Sequence, residues 1–245
     1  MSGTPTTARA ALEAAAALAR ARDLAGAVVL LDTFVAEAGD AAPVPPTIFL
    51  KRAHYRNALR DWRGAEADAR RAIALLAGAR SDSVAMAEAS AELGEAAWRV
   101  HGAAAALPPY IRCQQIYERR GASPARLARA YDNEALCLHA LGRNETAKRR
   151  QRQGLDLATK HGLHDRRRSL LRRMANIMQD EGHEDRAARL LDAARPPARA
   201  PARERLGWHH SRALLAERQG EPALAEQHYD RATDLFEAHH DRVAD

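Results

Sequence analysis

The sequence predicts an all-α solenoid of six stacked helical hairpins, and three observations carry the prediction. Small residues recur in register. An alanine follows a turn at Ala27, Ala65, Ala106, Ala147, Ala187 and Ala225, in steps of 38, 41, 41, 40 and 38 residues. A second column lies twelve positions earlier (Ala15, Ala53, Gly94, Ala135, Ala175, Ala213), and a third seven positions later (Phe34, Ala72, Cys113, Gly154, Ala194, Ala232). About a quarter of the chain is alanine, so one such column means little. Three in register over six copies select positions where helices approach closely. Turn glycines are the second observation: Gly142, Gly182 and Gly220 each precede a column alanine by five residues. Glycine takes the positive φ of a helix C-terminus at no steric cost. Finally, strand signals are missing, since apolar alternation is absent and β-branched residues are few.

The elements follow in order. The first hairpin occupies residues 7–38, as helices over about 7–21 and 24–38. Its second helix carries the most apolar run, Val28 to Val35. Three prolines in residues 39–46 mark a linker, because proline cannot continue a helix. The second hairpin (47–78) has Asp61 as a cap and Ala65, Ala69, Ala72, Ile73 and Leu76 as its apolar stripe. The third (82–119) opens after the capping cluster Ser81-Asp82-Ser83. Its Pro108-Pro109 either starts the second helix or bends it. The fourth (123–160) starts at Ser123-Pro124, a cap followed by a first-turn proline, and Asn144 is expected to cap its second helix. The fifth (164–195) places Leu170, Leu171, Met174, Ala175 and Met178 on one inward face. A second proline-rich linker (196–201) leads to the sixth hairpin (202–239), with Pro222 in a first turn. These hairpins are expected to form one repeat domain over 1–245, stable through neighbour stacking.

The small first-helix position (Gly94, Ala135, Ala175, Ala213), the turn (Gly142, Gly182, Gly220), the second-helix alanines (Ala147, Ala187, Ala225, and Ala232) and the pair Leu93-Gly94 resemble the tetratricopeptide repeat (TPR) family. The resemblance covers nearly the whole chain and implies a right-handed α-solenoid of TPR-like hairpins. The period departs from the family's roughly 34 residues. Positions that are large aromatics in the family are here often Leu, Met or Ala. A period near 40 also suits HEAT or armadillo pairs.

Composition narrows the function. Net charge is +6 and the pI is about 9.8, almost all of it from arginine, with lysine only at 51, 148 and 160. Solvated helix faces or an anionic partner both account for this charge. Cys113 and Cys137 form no metal signature or disulfide framework and read as buried small hydrophobes, which fits a cytoplasmic setting. Arg9, Glu13, Arg20 and Arg22 break the alanine-rich start, so no signal peptide is expected. No 18-residue apolar run exists, so no membrane span is expected.

Eleven histidines raise the question of a metal. His161 and His164 are three apart, and His209-His210 and His239-His240 are adjacent. Adjacent helical residues diverge by about 100°, so neither pair chelates alone. Cys137 and His139 point to different sides of their helix. Metalloprotease, phosphate-loop and dinucleotide motifs are absent. No enzyme activity, cofactor or metal is expected.

In TPR proteins the first helix of each hairpin lines a ligand groove. By this resemblance the groove-facing residues are Lys51, His54 and Asn57; Glu95, Trp98 and Arg99; Arg129, Asp132, Asn133, Leu136 and His139; Arg172, Arg173, Asn176 and Gln179; and His210, Leu214 and Glu217. Asn57, Asn133 and Asn176 have poor helix propensity. Each can donate to and accept from a peptide backbone. Arg172 and Arg173 can hold a carboxylate in a bidentate grip. The expected role is an adaptor, scaffold or regulatory sensor for a protein or peptide, acidic or ending in a free carboxylate. The alternative is nucleic-acid binding through Arg149, Arg150 and Arg152 with Arg166 to Arg168. Aromatics for base stacking are scarce there.

Overall fold

A computed structural model describes residues 7–39, 43–78 and 81–244, with side chains through residue 238. The described residues form twelve α-helices and no strand: α1 (Ala8–Arg20), α2 (Leu24–Ala38), α3 (Pro46–Ala58), α4 (Trp62–Leu76), α5 (Val84–His101), α6 (Ala103–Arg120), α7 (Pro124–Ala140), α8 (Asn144–Lys160), α9 (His164–Asp180), α10 (Glu184–Ala193), α11 (Ala202–Arg218) and α12 (Pro222–Ala244). Consecutive helices pair as hairpins. The chain divides into two compact units, residues 1–122 and 123–245, each holding three of these pairs. The all-α class expected from the sequence is the one observed.

The hairpin turns explain the register. Five of them are three residues long, and the middle residue is left-handed: Arg22, Arg60, Gly142, Gly182 and Gly220, with φ of 66, 65, 71, 75 and 73°. At the fourth hairpin the Gly142 N–H donates to the His139 carbonyl at 2.8 Å, and the Arg143 N–H to Leu138 at 2.8 Å. These two bonds satisfy carbonyls that the helix end leaves open. The same pair recurs at Arg60/Asp61 and at Gly182/His183. The next helix therefore starts directly after the turn. Asp23 and Asp61 cap it by accepting from Gly26 and Gly64 at 2.7 and 3.0 Å.

Three local expectations need correction. Asn144 does not cap α8: the turn makes Arg143 the last non-helical residue, and Asn144 is the first helical one, with no side-chain cap. Of the two alternatives for Pro108-Pro109, a helix start is ruled out, since α6 begins at Ala103 and runs through both. Pro46 belongs to α3, whose first turn tolerates it because its missing N–H has no intrahelical partner there. Residues 40–42 of that linker lie outside the described residues, as do the side chains of His239-His240.

Packing follows the columns. Every residue of the first two columns is buried. In the third, Ala72, Cys113, Gly154 and Ala194 are buried, while Phe34 and Ala232 are half-buried. Gly94 shows why one copy lacks even a methyl. A Cβ there would meet the Tyr110 ring at 2.6 Å. Tyr110 is four residues past its turn alanine, a position that holds Ala69 in the preceding hairpin.

In the N-terminal unit, the first two hairpins are joined by an ion network centred on buried Asp68 and Arg52. Arg52 grips Asp68 with two hydrogen bonds, at 2.8 and 2.6 Å, and reaches Asp32 at 2.8 Å. Arg56 binds the same two carboxylates, each at 2.9 Å. In the C-terminal unit, Leu170, Ala175, Ile177, Leu191 and Leu215 form much of the core.

Candidate functional site

In the C-terminal unit the first helices α7 and α9 pack against each other and share a seam with α8. Asp132 on α7 is its centre, with 1% of its side chain exposed. Gln151 of α8 donates to Asp132 Oδ1 at 3.2 Å. From α9, Arg173 Nε lies 3.2 Å from Oδ1 and Arg166 Nη1 3.5 Å from Oδ2. One buried carboxylate thus faces two guanidinium groups. Arg172 is half-buried and makes no ion pair among the described residues. Burial lowers the proton affinity of Arg172, and the Arg173 charge lowers it further against the pull of Asp132 and Glu204. Burial does the same to Arg166, with Arg129 and Arg173 adding to it against Asp132. In both, burial is the larger cause and the neighbouring guanidinium groups add to it.

Beside this cluster is a cavity of about 30 Å³, lined by Ala135, Leu136, His139, Gln151, Arg173, Asn176 and Ile177. Three of its polar atoms are buried without a hydrogen-bond partner in the protein: Gln151 Oε1, Asn176 Oδ1 and Arg173 Nε. The Arg173 contact to Asp132 is close enough for an ion pair but not aligned as a hydrogen bond. A buried polar atom without a partner costs roughly 1–3 kcal/mol. Two acceptors and one donor around a small hole suit one polar group that both donates and accepts.

The structure sorts the groove residues expected from the sequence. It brings together Asp132, Leu136, His139, Arg173 and Asn176, with Arg172 nearby in sequence and partly exposed Asn133 on the same helix as Asp132. Arg129 is exposed on α7. Several others are engaged within the protein. Asn57 donates to the Glu92 carbonyl at 3.1 Å and its carboxylate at 2.7 Å, and His54 Nδ1 lies 2.9 Å from the same carboxylate. Gln179 is buried and donates to the Ser211 carbonyl at 3.2 Å. His139 Nε2 is 2.8 Å from Asp180. Arg99 pairs with Glu95 at 3.6 Å and lies over the Trp62 ring of α4. Tyr110 also donates to Glu95, at 3.4 Å. His210 packs against Tyr229. Lys51 and Glu217 are exposed, and Trp98 and Leu214 half-buried.

The sequence leaves Gln151 outside the groove residues and places Arg166 only in the basic run. A signal for Gln151 existed: four residues past the turn alanine, the other hairpins carry Leu31, Ala69, Tyr110, Leu191 and Tyr229. A glutamine in that apolar column marks a buried polar contact. The basic run is dispersed. Arg150 donates to Glu134 at 2.9 Å and lies over Tyr131, and Arg168 pairs with Glu204 and Asp165. Among the described residues, no group of three or more His, Cys, Asp or Glu could hold a metal, and no helix is long and apolar enough to cross a membrane.

No family model matches the sequence, and no curated protein matches it at the sequence level. Solved structures match the fold. The apo form of RapI superposes with a TM-score of 0.72 at 11% identity, covering 93% of this chain and 96% of that one. BtubC (BKLC) from P. vanneervenii gives 0.66 at 18%, covering 89% and 92%. The Rap conjugation gene regulator of plasmid pLS20, solved with the Phr* peptide, gives 0.66 at 14%, covering 80% of this chain and 54% of that one. A kinesin light chain with nearly identical TPR-like repeats also matches, at 17% identity and a TM-score of 0.60, covering 76% and 92%. The chain has a TPR-like helical-repeat fold.

Proposed function

We propose that this chain is a protein- or peptide-binding module, serving as an adaptor, scaffold or regulatory sensor, and that its ligand lies along α7 and α9. The observation that carries the reading is the convergence of Gln151 Oε1, Asn176 Oδ1 and Arg173 Nε, all lacking protein partners, on one small cavity. A peptide amide, which both donates and accepts, supplies what those atoms lack. Arg172, and Arg166 and Arg173, which share the one carboxylate of Asp132, favour an acidic side chain or a terminal carboxylate. The pLS20 Rap regulator, of similar fold, is solved with a peptide bound. Repeat folds of this kind commonly bind along an extended surface.

The test is selection from a random heptapeptide library, followed by calorimetry on the best synthetic peptide. Selected peptides should be acidic or depend on a free C-terminus. Asn176→Ala combined with Arg172→Ala should weaken binding by about tenfold or more, the loss of roughly 1.4 kcal/mol, with circular dichroism unchanged. Selection of basic peptides, or unchanged affinity in the double variant, would refute the reading.

A further inference from the structure

A second, larger cavity of the C-terminal unit lies elsewhere. It measures about 990 Å³ and is formed by Arg168 of α9, the loop after α10, the first half of α11 and the later part of α12. Its walls share no residue with the α7–α9 cavity. Pro196, Pro197, Trp208 and Leu235 supply apolar surface. The charge is one-sided, with four arginines against the single carboxylate of Asp234.

Two of those arginines already have carboxylate partners: Arg168 with Glu204 and Arg231 with Asp234, the latter at 3.6 Å. Arg195 and Arg205 have none among the described residues. The Arg195 guanidinium lies 5.8 Å from the Trp208 ring centre. Arg205 Nη1 donates to the Ala198 carbonyl at 2.7 Å, which fixes the side chain against the loop, and its Nε is buried without a partner. The field is felt by His209, which lines the same cavity. Burial lowers the proton affinity of His209, and His228, Arg205, Arg231 and Arg195 lower it further. Apolar walls carrying a few fixed charges, at this volume, are the general form of a small-molecule site.

We propose that this cavity binds a small organic anion, its charged head on Arg195 and Arg205 and its apolar body against Pro196, Pro197 and Leu235. A neutral apolar molecule leaves the two guanidinium groups without a counter-charge. A bare inorganic anion leaves the apolar walls wet. The site is independent of the peptide reading above.

The test uses the full chain and two fluorescent probes of similar shape: the aryl sulfonate 8-anilinonaphthalene-1-sulfonate and its uncharged relative N-phenyl-1-naphthylamine. The sulfonate should saturate at one molecule per chain and bind at least about tenfold tighter than the uncharged probe. Arg195→Gln with Arg205→Gln should weaken the sulfonate by about tenfold or more and leave the uncharged probe unaffected. Circular dichroism and the melting temperature should match the parent, separating loss of the site from loss of the fold. Asn176→Ala with Arg172→Ala should leave probe binding intact. Equal affinity for the two probes, or full sulfonate binding by the arginine double variant, overturns the proposal. So does sedimentation showing that a second copy of the chain occupies the cavity and excludes the probe.

Discussion

Arg22 and Arg60 adopt the left-handed conformation that Gly142, Gly182 and Gly220 adopt in the later hairpins. A Cβ in that region crowds the following carbonyl and costs roughly 1–2 kcal/mol. The two arginines stand there because the neighbouring turn bonds over-determine them: the Arg60 N–H donates to the Asn57 carbonyl and the Asp61 N–H to Arg56. Opposite signs are therefore expected from opposite substitutions. Gly142→Ala should destabilise by about 1 kcal/mol. Arg60→Gly should stabilise by about 0.5 kcal/mol, the relief of strain exceeding the added freedom of the unfolded chain. Urea denaturation of both variants reads this directly, and equal signs would refute it. The same residues show what the sequence disclosed. The three glycine turns were legible because glycine marks positive φ. The two arginine turns were not, since arginine carries no such mark and only the column spacing of Ala27 and Ala65 located them.

At the scale of the element, the second and fourth hairpins use the same two positions for a charge pair of inverted sign. In the second hairpin Arg52, one residue before a column alanine, pairs with Asp68, three after the next. The same two positions in the fourth hairpin are Glu134 and Arg150, paired at 2.9 Å, with the acid now on the first helix. The Glu134 side chain is 3% exposed. Removing one partner of a buried pair leaves an uncompensated charge, at a cost of roughly 3–5 kcal/mol. Glu134→Arg should therefore destabilise by about 3 kcal/mol, and adding Arg150→Glu should restore most of the loss. A denaturation double-mutant cycle measures the coupling. If the double variant is no more stable than the single one, the two positions are not interchangeable in sign. Inter-hairpin ties show the limit of column reasoning. Asn57 and Gln179 each lie four residues past a column alanine and each donate to the carbonyl two residues before the next column residue. The columns place them on the first-helix row. They do not reveal that the next helix already uses their hydrogen bonds.

For the chain as a whole, the fold class was legible because a repeat states the same packing rule six times, so one ambiguous copy is corrected by the others. The site is stated once. Arg173 and Asn176 could be placed near it by register, while Gln151 enters from a second helix that the groove mapping left out. Whole-chain stability should also carry a pH signature. His209 Nδ1 and His228 Nδ1 are 2.9 Å apart, a contact that requires one of the two nitrogens to be unprotonated. Both rings are held below the ordinary histidine value of 6.5, first by burial, then at His209 by His228 and nearby arginines and at His228 by Arg212. The unfolded chain then takes up protons at higher pH than the folded one. Stability is full above about 6.5 and falls as pH drops through that value toward the lower folded ones. Glu66 adds a loss of the same sign in more acid solution: burial pushes its carboxyl up, but hydrogen bonds from Arg70 and His101 outweigh this and hold it below 4.5. The urea midpoint should therefore decline from pH 7.5 to 5.5, and His209→Gln with His228→Gln should flatten that decline. The ion pairs His54–Glu92, His101–Glu66 and His139–Asp180 are present in both proteins, so the difference between the two profiles isolates the His209–His228 pair. Identical slopes would show that these two rings titrate alike in the folded and unfolded chain.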